Sequence, residues 1–233
     1  MKRIISVSGI EELSAFTAKT VAEQAKICLE KSGRFTWVLS GGNTPKLVFS
    51  ELISNYSNGV DWSKTDIFWV DERCVPPSHV ESNYGMAYDH LLSKIKFKNI
   101  YRMEGELPPS LAASNYEQQI RSYFGLSGGE LPDFDFMLLG VGIDGHVASL
   151  FSMKEIKTSH SHLVVAPFVE KLGIYRITMT LPVINNCSCC LVMVPGKAKC
   201  EIVRKAWSGD PELPVSKVNL THGSELWVAD HEL

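Results

Sequence analysis

Apolar and polar positions along this chain follow two rhythms, one suited to amphipathic helices and one to short buried strands. Between residues 10 and 31, Leu13, Phe16, Val21, Ala25, Cys28 and Leu29 fall on roughly one face of a helix. Phe35 to Leu39 then reads as a buried strand, followed by Ser40-Gly41-Gly42-Asn43-Thr44-Pro45. Thr44 suits a helix N-cap and Pro45 a first helical residue, so a helix is expected from there towards Ser54. A second strand over Asp66 to Val70 runs into Asp71-Glu72-Arg73, and a polar, proline-containing loop leads to a helix from Glu81-Ser82-Asn83-Tyr84 through Leu92. Further helix is predicted over Ser110 to Phe124, and a third strand over residues 134–139. Leu163 to Ala166, Tyr175 to Thr180 and the apolar run Cys187 to Val194 are strand-like. A helix opens at Gly196-Lys197 and runs to about Trp207, and Glu225 to Val228 forms a last strand. Alternation of this kind predicts an α/β fold around a largely parallel sheet. No repeat, low-complexity tract or linker divides the chain, so one domain is expected over residues 1–233.

Composition narrows the partners. Hydrophobic residues make up 45% of the 233 and charged residues 21%, ordinary globular usage. A net charge of -3 gives no basic footprint for nucleic acid, so an anionic ligand would have to be captured locally. The opening Met1 to Val7 is too brief in its apolar part for a signal peptide, and no run approaches the roughly 18 residues that span a bilayer. A cytoplasmic protein that binds no membrane is expected. The six cysteines read as free thiols, and Cys187-Ser188-Cys189-Cys190 lacks the spacing and companion histidine of a zinc motif, so no metal is expected.

Three polar motifs share one address, the carboxyl end of a strand where the chain turns into a helix, which is where ligands gather in open parallel sheets. Ser40 to Thr44 offers backbone N–H groups at a helix start, a natural phosphate cradle, though a capped turn without ligand fits the same letters. Arg73 beside Asp71 and Glu72 suits a clamp on phosphate or carboxylate; a surface ion pair is the plainer alternative. The third motif, Gly140-Val141-Gly142-Ile143-Asp144-Gly145-His146, places a histidine beside a glycine turn with Asp144 to orient it. Its GxGxxG spelling suits a dinucleotide fold poorly. Pro167 interrupts the next strand, residues 152–162 make a poor crossover helix, and Glu170 comes late for the ribose acid. Lys197 could reach an anion from its helix start. Arg176, in strand-like sequence, must lie at a sheet edge or face a polar cleft.

Five ordered segments, SGGNTP (Ser40 to Pro45), DERCVPPSHVESNYG (Asp71 to Gly85), LLGVGIDGHVASLF (Leu138 to Phe151), RITMTLPVINN (Arg176 to Asn186) and PGKAK (Pro195 to Lys199), resemble the 6-phosphogluconolactonase family over nearly the whole chain. The resemblance implies a three-layer α/β sandwich around a mostly parallel, Rossmann-like sheet. It also implies hydrolysis of 6-phospho-D-glucono-1,5-lactone without metal or cofactor, by a monomer or weak homodimer. It makes His146 the general base, Asp144 its orienting partner and Arg73 a substrate ligand. Substrate binding falls to Ser40, Gly41, Gly42, Asn43, Thr44, Asp71, Gly142, Arg176 and Lys197, with the 6-phosphate among the Ser40 to Thr44 backbone, Arg176 and Lys197 and with Arg73 a further contributor. Related glucosamine-6-phosphate deaminases continue the Asp-Gly-His motif with a segment carrying a catalytic Glu, where this chain has Ala148-Ser149-Leu150-Phe151-Ser152. A deaminase or isomerase, and a non-catalytic sugar-phosphate sensor, are the alternatives. Lactonases usually have Pro at the position of Ser152, a change expected to loosen the loop that follows, and the stretch between Phe151 and Arg176 is short.

Overall fold

The central strands are apolar at nearly every position because both of their faces are covered, and this fixes the layers. In the computed structural model, which describes residues 2–158 and 161–232, β1 (Lys2–Ser6) leads into α1 (Gly9–Ser32), β2 (Phe35–Leu39), α2 (Asn43–Tyr56) and β3 (Thr65–Trp69). Then come β4 (Asp71–Arg73), α3 (Asn83–Ala87), β5 (Asn99–Ile100), α4 (Pro109–Phe124), β6 (Phe136–Gly140) and α5 (Met153–Thr158). The chain continues through β7 (Val164–Val165), β8 (Phe168–Val169), β9 (Ile174–Met179), α6 (Leu181–Asn185), β10 (Cys189–Val194), α7 (Lys197–Trp207) and β11 (Ser224–Ala229).

Seven strands form one sheet in the order β1-β11-β10-β6-β2-β3-β5, and every pairing in it is parallel. Alternate side chains divide between its faces. Trp37, Leu39, Ile67, Trp69 and Leu138 pack against α1 and α2; Val38, Phe68, Met137 and Leu139 pack against α4 and α7. Three layers result, as expected. From the centre the chain steps outward one way through β2, β3 and β5, and the other way through β6, β10 and β11. The strand order therefore reverses between β2 and β6, the position where such sheets leave a crevice.

A smaller antiparallel sheet, β4-β9-β7 with β8 also paired to β9, sits at the carboxyl end of β3. Val70 joins the two sheets: its N–H donates to Leu39 O at 2.9 Å, and its carbonyl accepts from Met179 N at 2.8 Å.

Several expectations change. Residues 2–6, read as a mere basic opening, form the edge strand β1 beside β11. The cap of α2 is Gly42 at φ +102°, with Asn43 as first helical residue, so Thr44 is inside the helix and not its cap. Asp71–Arg73 is not a strand-to-helix turn but a strand of the second sheet. Likewise, the chain after Gly140 makes a closed turn and reaches α5 only at Met153, which removes the dinucleotide geometry. The helix expected through Leu92 ends at Ala87 and widens into a π turn over Tyr88–Leu92. Ser152 takes part in starting α5: its Oγ accepts from Glu155 N at 3.3 Å while the Glu155 carboxylate accepts from Ser152 N at 2.9 Å, a capping box.

Where β5 has ended, Tyr116 of α4 completes the hydrogen bonding of β3. Its buried hydroxyl accepts from Trp69 N at 2.9 Å and donates to Trp69 O at 3.1 Å. Tyr116→Phe leaves both backbone groups buried without a partner. It should lower the unfolding free energy by about 2 kcal/mol, read as a lower urea midpoint at unchanged slope.

Candidate functional site

The loops after β2 and β6, the adjacent strands of the switch point, form the floor of the site. On the β2 side, Ser40 is buried and the chain turns at Gly42 into α2, whose start has no side-chain cap. Gly41 is pressed against α3 so closely that an added Cβ would stand 1.8 Å from Asn83 Oδ1. No other residue type fits there without moving Asn83.

Asn83 matters because it holds Asp71. Its Nδ2 donates to the Asp71 backbone oxygen at 2.9 Å and approaches Asp71 Oδ1 at 3.4 Å. The neighbouring Glu72 turns inward, only 2% exposed. Its carboxylate accepts from the backbone N–H groups of Arg73 (2.7 Å), Asn83 (2.7 Å) and Tyr84 (2.8 Å) and from the Ser82 hydroxyl (3.1 Å). Ser82 also caps α3 by accepting from Gly85 N at 3.0 Å. The Glu81-Ser82-Asn83-Tyr84-Gly85 stretch is thus the bracket that holds β4 in place. Arg73 Nη1 donates to the Glu81 backbone oxygen at 2.5 Å, and Arg73 faces Arg176 directly across the β4–β9 pair.

On the β6 side, the chain doubles back. Gly142 N donates to His146 O at 2.9 Å and Gly145 N to Gly142 O at 3.0 Å, with Gly145 at φ +79°. A Cβ on Gly142 would lie 2.1 Å from His146 Nδ1, so the imidazole packs on the bare glycine. His146 Nδ1 is 2.5 Å from Asp144 Oδ1, the ring stacks on Phe151 at 4.2 Å between centroids, and the other Asp144 oxygen pairs with Lys171. Ala148, the one non-glycine among the described residues at positive φ (+51°), then turns Ser149 inward, where its hydroxyl donates to Asp71 Oδ2 at 2.7 Å. Asp71 is thereby gripped from both loops.

Charge is concentrated here. Burial lowers the His146 pKa from its ordinary value; the Asp71 carboxylate opposes that, and the Lys199, Arg176 and Arg73 cations add to it. Burial also lowers Arg176, with the Arg73 charge reinforcing the effect, and burial lowers Lys199. A neutral imidazole at neutral pH beside three fixed cations can take a proton from water while an anion binds next to it.

The structure thus brings His146, Asp144, Asp71, Arg73, Arg176, Gly142 and the Ser40–Thr44 loop together beside the carboxyl ends of β2, β3 and β6. Lys197 is exposed at the start of α7, and the lysine of that helix whose charge reaches His146 is Lys199. Sequence reasoning passed over Lys199, Glu72, Asn83, Ser149 and Lys171. The PGKAK spelling holds two lysines, and only the helical phase of α7 distinguishes them. Asp230 accepts from Gly196 N at 2.6 Å, which fixes the start of α7. With Cys200 and His231 it forms the one group of three metal-type donors within 4.8 Å of one another among the described residues; Cys187, Cys189 and Cys190 form none.

Comparison with known proteins places this architecture. The family described as glucosamine-6-phosphate isomerases/6-phosphogluconolactonase matches residues 9–227. A probable chloroplastic 6-phosphogluconolactonase 4 of Oryza sativa subsp. japonica is 37% identical over 239 residues, covering 94% of this chain and 72% of that protein. The chloroplastic 6-phosphogluconolactonase 3 of Arabidopsis thaliana is 35% identical, covering 98% and 74%. The crystal structure of 6-phosphogluconolactonase from Thermotoga maritima superposes with a TM-score of 0.86 at 26% identity, covering 98% of this chain and all of that one.

The packing of His146 on Gly142 is directly testable. Gly142→Ala should push the ring away from Asp144 and abolish the single Nδ1–H tautomer in the ring 15N spectrum, while the fold survives. An unchanged tautomer would show that the glycine does not set the ring.

Proposed function

The chain belongs to the family of glucosamine-6-phosphate isomerases and 6-phosphogluconolactonases, and within it we propose that it hydrolyses 6-phospho-D-glucono-1,5-lactone to 6-phosphogluconate. The observation that carries this reading is His146, held by Asp144 at Nδ1, with its pKa lowered by burial and three cations around it. Its Nε2 removes a proton from water as the water oxygen bonds to the lactone carbonyl carbon. The tetrahedral intermediate collapses with cleavage of the bond to the ring oxygen, and His146 returns the proton to that oxygen. Arg73 lies against the reacting end and offsets the charge on the carbonyl oxygen. The 6-phosphate is met by the Ser40–Thr44 loop at the start of α2, by Arg176 and by Lys199, with Lys197 further out on the same helix.

The steps call on no metal or cofactor, and the reading takes the working unit to be a monomer or weak homodimer. Six free thiols suit a reducing compartment, and the proposal places the enzyme in the cytoplasm. Among the described residues no helix is long and apolar enough to cross a membrane.

The deciding experiment is a coupled assay on freshly generated 6-phosphogluconolactone, with glucosamine 6-phosphate run beside it. Activity on the lactone is expected, and activity on the amino sugar alone would overturn the reading. His146→Ala should lower turnover about 10²–10⁴-fold with the fold intact. The base works only when neutral, so kcat/KM should fall with decreasing pH, with a midpoint below the ordinary imidazole value of about 6.5. A midpoint well above that value would assign the limb to another group.

A further inference from the structure

β8 and β9 form a hairpin whose turn reaches the site from outside. The N–H groups of Leu172 and Gly173 donate to Val169 O at 2.9 Å each, Gly173 adopts φ +66°, and Phe168 meets Tyr175 across the strands at 5.1 Å. The second strand carries Arg176, so the hairpin is anchored at its base by a residue of the site. Its tip presents Lys171, whose ammonium pairs with Asp144 Oδ2 and lies 4.3 Å from the centre of the Phe151 ring. Phe151 in turn stacks on His146, and Asp144 Oδ1 meets His146 Nδ1. One carboxylate therefore spends one oxygen on the lysine and the other on the histidine.

We propose that Lys171 is a positioning residue, the clamp by which the β8–β9 hairpin orients Asp144 and so holds His146 as a neutral base with Nε2 free. The inference deepens the lactonase reading and rests on it. Asp144 is exposed, and its Oδ1 accepts from the His146 backbone N–H at 3.3 Å as well as meeting the ring, so Lys171 is the partner that fixes its other oxygen. The lysine charge also offsets a carboxylate that would otherwise favour the imidazolium. The other charged groups facing His146 are Asp71 and Arg73 from β4, Arg176 from β9 and Lys199 from α7. Lys171 differs from these cations in acting by direct contact with Asp144. As an exposed pair it adds little to stability, so its role must be read at the histidine.

The test compares the parent with Lys171→Met, which keeps an apolar stem over Phe151, and Lys171→Arg, which keeps the charge. His146 is titrated by 15N NMR without substrate, and kcat and KM for the lactone are followed across pH. Lys171→Met should raise the His146 pKa by about half to one unit. The acid limb of kcat/KM should move up with it, and kcat should fall several-fold at nearly constant KM, while Lys171→Arg restores both. An unshifted His146 titration in Lys171→Met, or failure of Lys171→Arg to restore it, overturns the clamp. If the parent lacks lactonase activity the functional reading fails, yet the NMR titration still decides whether Lys171 governs His146.

Discussion

The Glu72 carboxylate is buried among four donors, and the position of Asp71, Arg73 and the start of α3 follows from satisfying it. A carboxylate taken out of water is costly unless its lone pairs are met, and burial indeed pushes this one above its ordinary pKa. Three of its four donors lie 10 to 12 residues ahead in sequence. The polar loop between them is therefore folded back on β4 rather than left to solvent. Val70 supplies the other half of the constraint, bonded to Leu39 in the large sheet and Met179 in the small one. Between them these contacts make the chain change sheets at the carboxyl end of β3, next to the switch point between β2 and β6, and so bring β4 to the site.

Electrostatics at the crevice are set locally. The chain carries a formal charge of -3, yet Arg73, Arg176 and Lys199 converge on His146 with Asp71 among them. Burial lowers the pKa of both Arg176 and Lys199, and at Arg176 the neighbouring Arg73 charge adds to it. Asp71 relieves part of it, which explains why it is held so firmly by Asn83 and Ser149. An anionic ligand meeting Arg73, Arg176 and Lys199 would be held by the same charges.

The layers and most elements were legible because they depend on patterns of near neighbours. Apolar runs such as Phe35 to Leu39 and the helical spacing of α1 need no tertiary information. Failures came where tertiary partners override local preference. Residues 2–6 are a strand because β11 is there to pair with them, and Gly42 displaces Thr44 as cap because α3 crowds the loop at Gly41. At the candidate site, the histidine, the arginines and the glycine turns stood out in the sequence, whereas the residues that hold them in place did not. Glu72, Asn83 and Ser149 look like ordinary polar residues until their partners, up to 78 positions away, are known. Lys199 was hidden by Lys197, since both suit an anion and only the phase of α7 separates them.

The segment after His146 bears on the choice between chemistries for a reason that motif spelling does not contain. Every position in Ala148-Ser149-Leu150 already has a structural task. Ala148 takes the left-handed turn, Ser149 donates to Asp71 Oδ2, and Leu150 is fully buried and bonded back to Val147 at 2.9 Å. A glutamate at Ser149 would set a second carboxylate against Asp71 in a buried position, where two like charges cannot both remain ionised. One at Leu150 would enter the apolar core. To carry an acid here the turn would have to be rebuilt and Asp71 would lose the Ser149 donor, with consequences for Arg176 and for the imidazole. The Ala-Ser-Leu-Phe run is thus coupled to the Asp-Glu-Arg strand by a hydrogen bond, and the two motifs belong to a single electrostatic arrangement around His146.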